Sequence, residues 1–188
     1  MPGLGHRVAR WCLAGVLGLS GVLTPLPACA DGSSAVIEPI SSAPLFAAAL
    51  VDLHRQPTNL AAYRGKPMVI NFWARWCGPC KVEIPELISL KARNAGVEVL
   101  GLNIESNVES VRDFVSAYDI NYPVLLAPES GLALMQALGN RKAVLPFTVV
   151  LNGKGVVVSS HLGVLTREKI DSIVELALRP VAAVRPSP

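Results

Sequence analysis

Asn71-Phe72-Trp73-Ala74-Arg75-Trp76-Cys77-Gly78-Pro79-Cys80-Lys81 joins two different hydrophobic periods. The residues just before it, Pro67-Met68-Val69-Ile70, are a continuous apolar run of β type and lead into a buried strand over Met68–Trp73. After it, Val82, Ile84, Leu87, Ile88 and Leu90 recur at helical spacing, which predicts an amphipathic helix over Cys80–Asn94. Pro85 should kink that helix, Gly96 closes it, and Glu83 and Glu86 read as its solvated face. Two cysteines two residues apart at a helix start can open and close a disulfide with little backbone movement, so the chemistry to expect is thiol–disulfide exchange.

On the N-terminal side, Ala48–Asp52 and Pro57–Asn59 read as short strands about a His54-Arg55-Gln56 turn. Leu60–Tyr63 reads as one helical turn ended by Gly65. On the C-terminal side, Val97–Ile104 is a strand, and Ser106 or Asn107 caps a helix carrying Val111, Phe114, Val115 and Tyr118. A strand over Tyr122–Leu126 and a helix over Gly131–Leu138 follow. Phe147–Leu151 and Val156–Ser159 are joined by Asn152-Gly153-Lys154-Gly155, a hairpin signal. Thr166–Leu178 is the last helix, with Thr166 as its N-cap. Strands alternating with helices, then a hairpin and a helix, imply an α/β fold whose sheet is parallel in the middle and antiparallel at the hairpin.

The ends of the chain have a different composition. His6, Arg7 and Arg10 precede an uncharged apolar run, Trp11–Leu23, too short for a membrane span of about 20 residues. Pro25 and Pro27 follow, then Ala28-Cys29-Ala30, a small-residue cleavage pattern. Residues 1–30 are therefore expected to be an export signal. Two alternatives stand beside it: a bacterial lipobox at Leu26-Pro27-Ala28-Cys29, which would lipidate Cys29, and an uncleaved membrane anchor. Residues 31–44 read as a linker, 45–179 as the folded domain, and the proline-bearing 180–188 as a flexible tail.

Cleavage after Ala30 would remove Arg7 and Arg10 and no acidic residue, lowering the formal charge from +3 to +1. A nearly neutral chain without a basic stripe argues against a nucleic-acid partner. Cleavage would also remove Cys12 and Cys29, leaving only Cys77 and Cys80. An exported protein with just those two thiols has no separate structural disulfide, so its one bond would be the reactive one.

Several separated motifs occur together in order: Arg64-Gly65-Lys66-Pro67, the run from Asn71 to Cys80, Pro85 five residues after the second cysteine, Tyr122-Pro123-Val124-Leu125, and Leu145-Pro146-Phe147-Thr148. With these, the chain from about Leu45 to Leu178 resembles the thioredoxin superfamily, and within it the TlpA/ResA-type branch of bacterial envelope thiol–disulfide oxidoreductases. The longer strand–helix–strand–helix piece over Val97–Leu138 resembles that branch's insertion. The resemblance implies a thioredoxin-like fold: a mixed central β-sheet flanked by helices, with an N-terminal β-hairpin.

Cys77 falls where the strand ends and the helix begins. Free N–H groups and the positive dipole end favour thiolate there, so Cys77 is expected to be the exposed nucleophile. Cys80, one turn into the helix, is expected to be more buried and to resolve the mixed disulfide. The alternatives are a structural disulfide or half of a zinc site, and zinc needs further ligands. Pro79 suits the first helical turn, where no N–H donor is needed, and the Gly78-Pro79 pair matches thioredoxin.

Pro146 resembles the family's cis-proline, which offers backbone to an incoming peptide, and Leu145 would contact client or sulfur. Phe147 stands where the family commonly has a small residue. Asn71 stands where thioredoxin has a buried aspartate. The resemblance places a glutamate from the next strand end there instead, making Glu105 the candidate proton acceptor, against a reading of Glu105 as a solvated acid at a helix start. Trp73 reads as core, Trp76 as a surface platform for clients, and His161 as a strand-end surface residue.

Two functions follow. The first is an envelope protein-disulfide reductase acting on a disulfide-bearing secreted client of the cytochrome c maturation, oxidase or copper-site assembly type. It would draw electrons from a membrane thiol relay and work as a periplasmic monomer, free or tethered, with no cofactor beyond the Cys77–Cys80 disulfide and no metal. The second is a thioredoxin-like copper-binding module without reductase turnover.

Overall fold

The computed structural model describes residues 40–180, apart from Asn94. The export-signal reading of residues 1–30, most of the 31–44 linker and the tail beyond Pro180 lie outside the described residues.

Among the described residues, seven strands form one mixed sheet: β1 (Leu50–Asp52), β2 (Pro57–Thr58), β3 (Met68–Trp73), β4 (Glu98–Asn103), β5 (Val124–Leu126), β6 (Phe147–Leu151) and β7 (Val157–Leu162). Their order is β2-β1-β5-β4-β3-β6-β7. The central β3, β4 and β5 run parallel. The β1–β2 hairpin pairs antiparallel to β5, and the β6–β7 hairpin antiparallel to β3. The helices are α1 (Ala43–Ala47), α2 (Gly78–Ala92), α3 (Val108–Ala117), α4 (Gly131–Ala137) and α5 (Arg167–Leu178), with a 3-10 turn at Leu60–Tyr63.

Alternation along β3 builds a core on each face of the sheet. Val69 and Trp73 pack with Ile84 and Leu87 of α2, Val111 of α3 and Ile170 of α5. Met68, Ile70 and Phe72 pack with Leu45 of α1 and Leu134 of α4. All six β3 side chains are buried, which accounts for a strand sequence that is apolar except at Asn71.

The local signals explain the boundaries. Asn107 caps α3, its side chain accepting from the Ser110 N–H at 3.0 Å. Thr166 caps α5 through Lys169. In the β6–β7 turn, Asn152 Oδ1 accepts from the N–H groups of Lys154 and Val156, and Gly155 sits at φ +76°, where an L side chain is strained.

Three expectations need correction. Residues 43–47 form α1 rather than linker and the approach to a strand. Pro44 opens the helix and buried Leu45 anchors it, but five residues are too few to show a helical period. Val82, counted among the apolar positions of α2, is 66% exposed. Glu83, read as solvated, is fully buried beside Cys80, Ile84, Leu87 and Leu90. At 100° per residue, position 83 shares its face with 80, 87 and 90, whereas 82 lies across the helix. Pro85 sits inside α2 and is exposed, so the carbonyl it leaves without an N–H partner can turn to water.

Candidate active site

The turn Ala74-Arg75-Trp76 hands β3 to α2, with the Cys77 N–H donating to the Ala74 carbonyl at 3.1 Å. Cys77 is the N-cap of α2 in extended conformation. Its Sγ accepts from the Cys80 N–H at 3.2 Å, so the helix end directs a free peptide donor at that sulfur. Cys77 and Cys80 are joined by a disulfide, S–S 2.09 Å, with Cα atoms 5.3 Å apart. Cys77 is 5% exposed and Cys80 0%. Cys77 is thus less open than its expected role suggested, although the order of the two is as expected. Gly78 and Pro79 are exposed, Pro79 in the first helical turn. Trp76, 68% exposed, projects from the same turn.

The Leu145–Pro146 peptide is cis. Pro146 is buried at the head of β6, and its carbonyl accepts from the Gly163 N–H at 2.9 Å, tying the Pro146 segment to the β7–α5 loop. Leu145 is half-buried and packs against both cores, including the one that holds the cysteines. The structure therefore gathers the Cys-x-x-Cys turn, the Pro146 segment and the β7–α5 loop at one end of the sheet. His161 lies on β7, half-buried, with Nε2 3.3 Å from the Val164 carbonyl.

The two candidate acids part company. Glu105 closes the turn before Cys77: Oε2 accepts from the Arg75 N–H at 2.7 Å and from Asn103 Nδ2 at 3.3 Å, and Oε1 pairs with Arg75 Nη2 at 3.1 Å. That carboxylate, 12% exposed, is occupied by a cation and a peptide donor.

Glu83 instead lies within the core, one helical turn after Cys80 and on the same face. Its Oε1 accepts from Asn71 Nδ2 at 2.7 Å and its Oε2 from the Leu165 N–H at 3.0 Å. Asn71 Nδ2 also donates to Thr148 Oγ1 at 3.0 Å. Burial pushes the Glu83 carboxyl up to about 7, against the two hydrogen bonds, which favour the charged form. The Asn71 position thus has its buried acid, supplied by α2 rather than by the strand end. The i, i+3 spacing of Cys80 and Glu83 was the available sequence signal. An acid in the second turn of a helix is otherwise unremarkable.

Among the described residues, no group of three or more His, Cys, Asp or Glu side chains is placed to hold a metal ion.

The redoxin family profile matches residues 39–177. The thiol-disulfide oxidoreductase ResA of Halalkalibacterium halodurans is 31% identical over 135 residues, 71% of this chain and 74% of that protein. The thioredoxin-related protein of Neisseria meningitidis serogroup B is similar in structure with a TM-score of 0.60 at 28% identity, covering 68% of this chain and 97% of that one. A secreted Mycobacterium tuberculosis disulfide oxidoreductase homologous to E. coli DsbE shares the fold at TM-score 0.60 and 24% identity, covering 71% of this chain and 97% of that one. A Cys-Gly-Pro-Cys disulfide at a helix N-terminus, on this sheet and with these relatives, makes the chain a member of the redoxin family and, within the thioredoxin superfamily, a ResA-like thiol–disulfide oxidoreductase.

Proposed function

We propose that this protein reduces disulfides in exported client proteins. The Cys77 thiolate attacks a client sulfur, forming a mixed disulfide and releasing one client thiolate. Cys80 then gives its proton to the Glu83 carboxylate and attacks Cys77 Sγ. The second client thiolate leaves, Cys77–Cys80 is oxidised, and the client has gained two electrons. A dithiol of a membrane thiol relay restores the reduced pair, since the envelope does not supply reductant. Nothing beyond this disulfide is required as cofactor.

The observation that carries this reading is the buried Glu83, on the same face as Cys80 and with an affinity for protons near neutrality. A buried resolving thiol needs a nearby base, and a base is most effective with a pKa close to the working pH. Trp76 and the Leu145–Pro146 segment would seat the client on either side of Cys77. Clients of the cytochrome c maturation or copper-site assembly type suit a reductant held outside the cytoplasm. Residues 1–30 would direct export to the periplasm, with Cys29 as the lipid attachment point should the anchored form apply.

The test is a pair of variants. Cys77→Ser should abolish reduction of insulin, while Cys80→Ser should accumulate a mixed disulfide with the client, isolable from the native envelope. Full reductase activity in Cys77→Ser would overturn the assignment.

A further inference from the structure

Glu83 is not the only polar group in the layer between α2 and the sheet. Asn71 Oδ1, Trp73 Nε1 and the Tyr122 hydroxyl are all buried with no hydrogen-bond partner in the protein. Native cores rarely leave such groups unpaired, and three belonging to one layer call for a common explanation.

Gly101 brings them together. It pairs in register with Asn71 across β3 and β4, so the two positions face the same side of the sheet. A Cβ at Gly101 would fall 2.9 Å from Trp73 Nε1 and 3.2 Å from Tyr122 Cε2. The indole N–H and the edge of the phenol ring therefore close over this glycine, beside the asparagine that holds Glu83. Tyr122 is 4% exposed and belongs to the core cluster that contains Cys77 and Cys80. Burial, and after it the charge of Glu83, raises the proton affinity of Tyr122, which places the phenol within the field of that carboxylate.

The three groups are chemically complementary. The indole N–H only donates, Asn71 Oδ1 only accepts, and a phenol hydroxyl does both. A water molecule with two to four such partners is a stable part of a protein interior.

We propose that these groups form a buried hydration site, one ordered water joining the Tyr122 hydroxyl, Trp73 Nε1 and Asn71 Oδ1 at the edge of the Glu83 carboxyl, and that Tyr122 acts through it as a positioning residue for the Glu83 proton. The inference rests on Glu83 accepting the Cys80 proton. The other groups facing Glu83 are Cys80 on α2, Thr148 on β6 through Asn71, and the Leu165 N–H before α5. His161 stands in register with Thr148 on β7, held at the Val164 carbonyl. Among the described residues none of these gives Glu83 a cationic partner.

The test is Tyr122→Phe, which keeps the ring and removes the hydroxyl. Infrared difference spectroscopy would follow the Glu83 carboxyl stretch against pH, and rapid mixing would follow release of the second client thiol. Loss of the donor chain should raise the Glu83 midpoint by about 0.5 to 1 pH unit and slow resolution at pH 7 about 2- to 5-fold, with the rates converging at high pH. In a Glu83→Gln background the same change should alter nothing. An unmoved Glu83 midpoint in Tyr122→Phe overturns the inference. A Glu83→Gln protein that keeps the wild-type pH profile overturns the base assignment instead, while the infrared midpoint still reads the role of Tyr122. Should Tyr122→Phe not fold, a high-resolution crystal structure of the full chain decides. Density for a water bonded to the Tyr122 hydroxyl supports the site, and a dry layer with the hydroxyl bonded elsewhere refutes it.

Discussion

Asn71 Nδ2 lies 2.7 Å from Glu83 Oε1, a contact between the central strand β3 and helix α2 in which both side chains are fully buried. The amide satisfies one carboxyl oxygen and the Leu165 peptide the other, yet no cation enters the arrangement. Burial therefore wins over hydrogen bonding, and the carboxyl holds its proton to about pH 7.

That balance has a sign in the stability of the oxidised protein, where the cysteines do not titrate. Between the usual glutamate value of 4.5 and about 7, the folded chain keeps a proton that the unfolded chain has released. Stability should be greatest below pH 4.5, as far as this group goes, and fall as pH rises through 7, by about 3 kcal/mol in all. Urea unfolding of wild type and Glu83→Gln across this window checks it: the variant should lack this slope.

Asn71→Asp places a second carboxyl where the amide donates to Glu83 and Thr148. Two carboxylates at that distance cannot both ionise in a buried site. The pair should share one proton and titrate in two separated steps. Above neutral pH the variant should be less stable than wild type by about 3 kcal/mol or more. Carboxyl nuclear magnetic resonance on the labelled pair would resolve the two steps. A single unshifted titration would count against the buried contact.

Glu105 and Glu83 make opposite predictions for the proton. Glu105→Gln breaks the pair with Arg75 but can still accept from the Arg75 peptide. The pair is partly exposed, so the loss should be only about 1 kcal/mol. The pH profile of mixed-disulfide resolution should stay that of wild type, as the proposed role of Glu83 as base requires. Should Glu105→Gln flatten the profile and Glu83→Gln leave it intact, the base would have to be reassigned to Glu105.

Trp76 has little to lose on the folding side. At 68% exposure, Trp76→Ala should change stability by no more than about 0.5 kcal/mol. Its effect should appear with protein clients, as a severalfold fall in kcat/KM, and vanish with a small aromatic disulfide that makes no contact beyond the sulfurs. Parallel rates on the two substrates would separate client binding from thiol reactivity.

Local chemistry carried much of this molecule into view. The largely apolar strand Met68–Trp73, the Asn152–Gly155 turn, and the caps Asn107 and Thr166 each act over a few residues. Their hydrogen bonds and periods are written in neighbouring positions, so the mixed sheet and its flanking helices could be read in advance. Cys77 and Cys80 were legible for the same reason, as their bond spans one helical turn. The short helix Ala43–Ala47 was not, because its cause is distant: Leu45 fills the core face formed by β3 and α4, and five residues have no period to display.

The polar layer beneath the cysteines belongs to long-range packing. Asn71, Glu83, Thr148 and Leu165 come from four separate segments, and their hydrogen bonds exist only once α2 and α5 close over β3 and β6. Whether a carboxyl keeps or releases its proton depends on the water it loses and the partners it meets. Neither is a property of residue type or of spacing along the chain. By sequence, Glu83 reads as a solvated helix acid, and Glu105 reads equally as a buried proton acceptor or as a solvated acid at a helix start. Assembly of the sheet gives Glu105 an arginine at the rim and leaves Glu83 in the core, held by an amide and a peptide N–H.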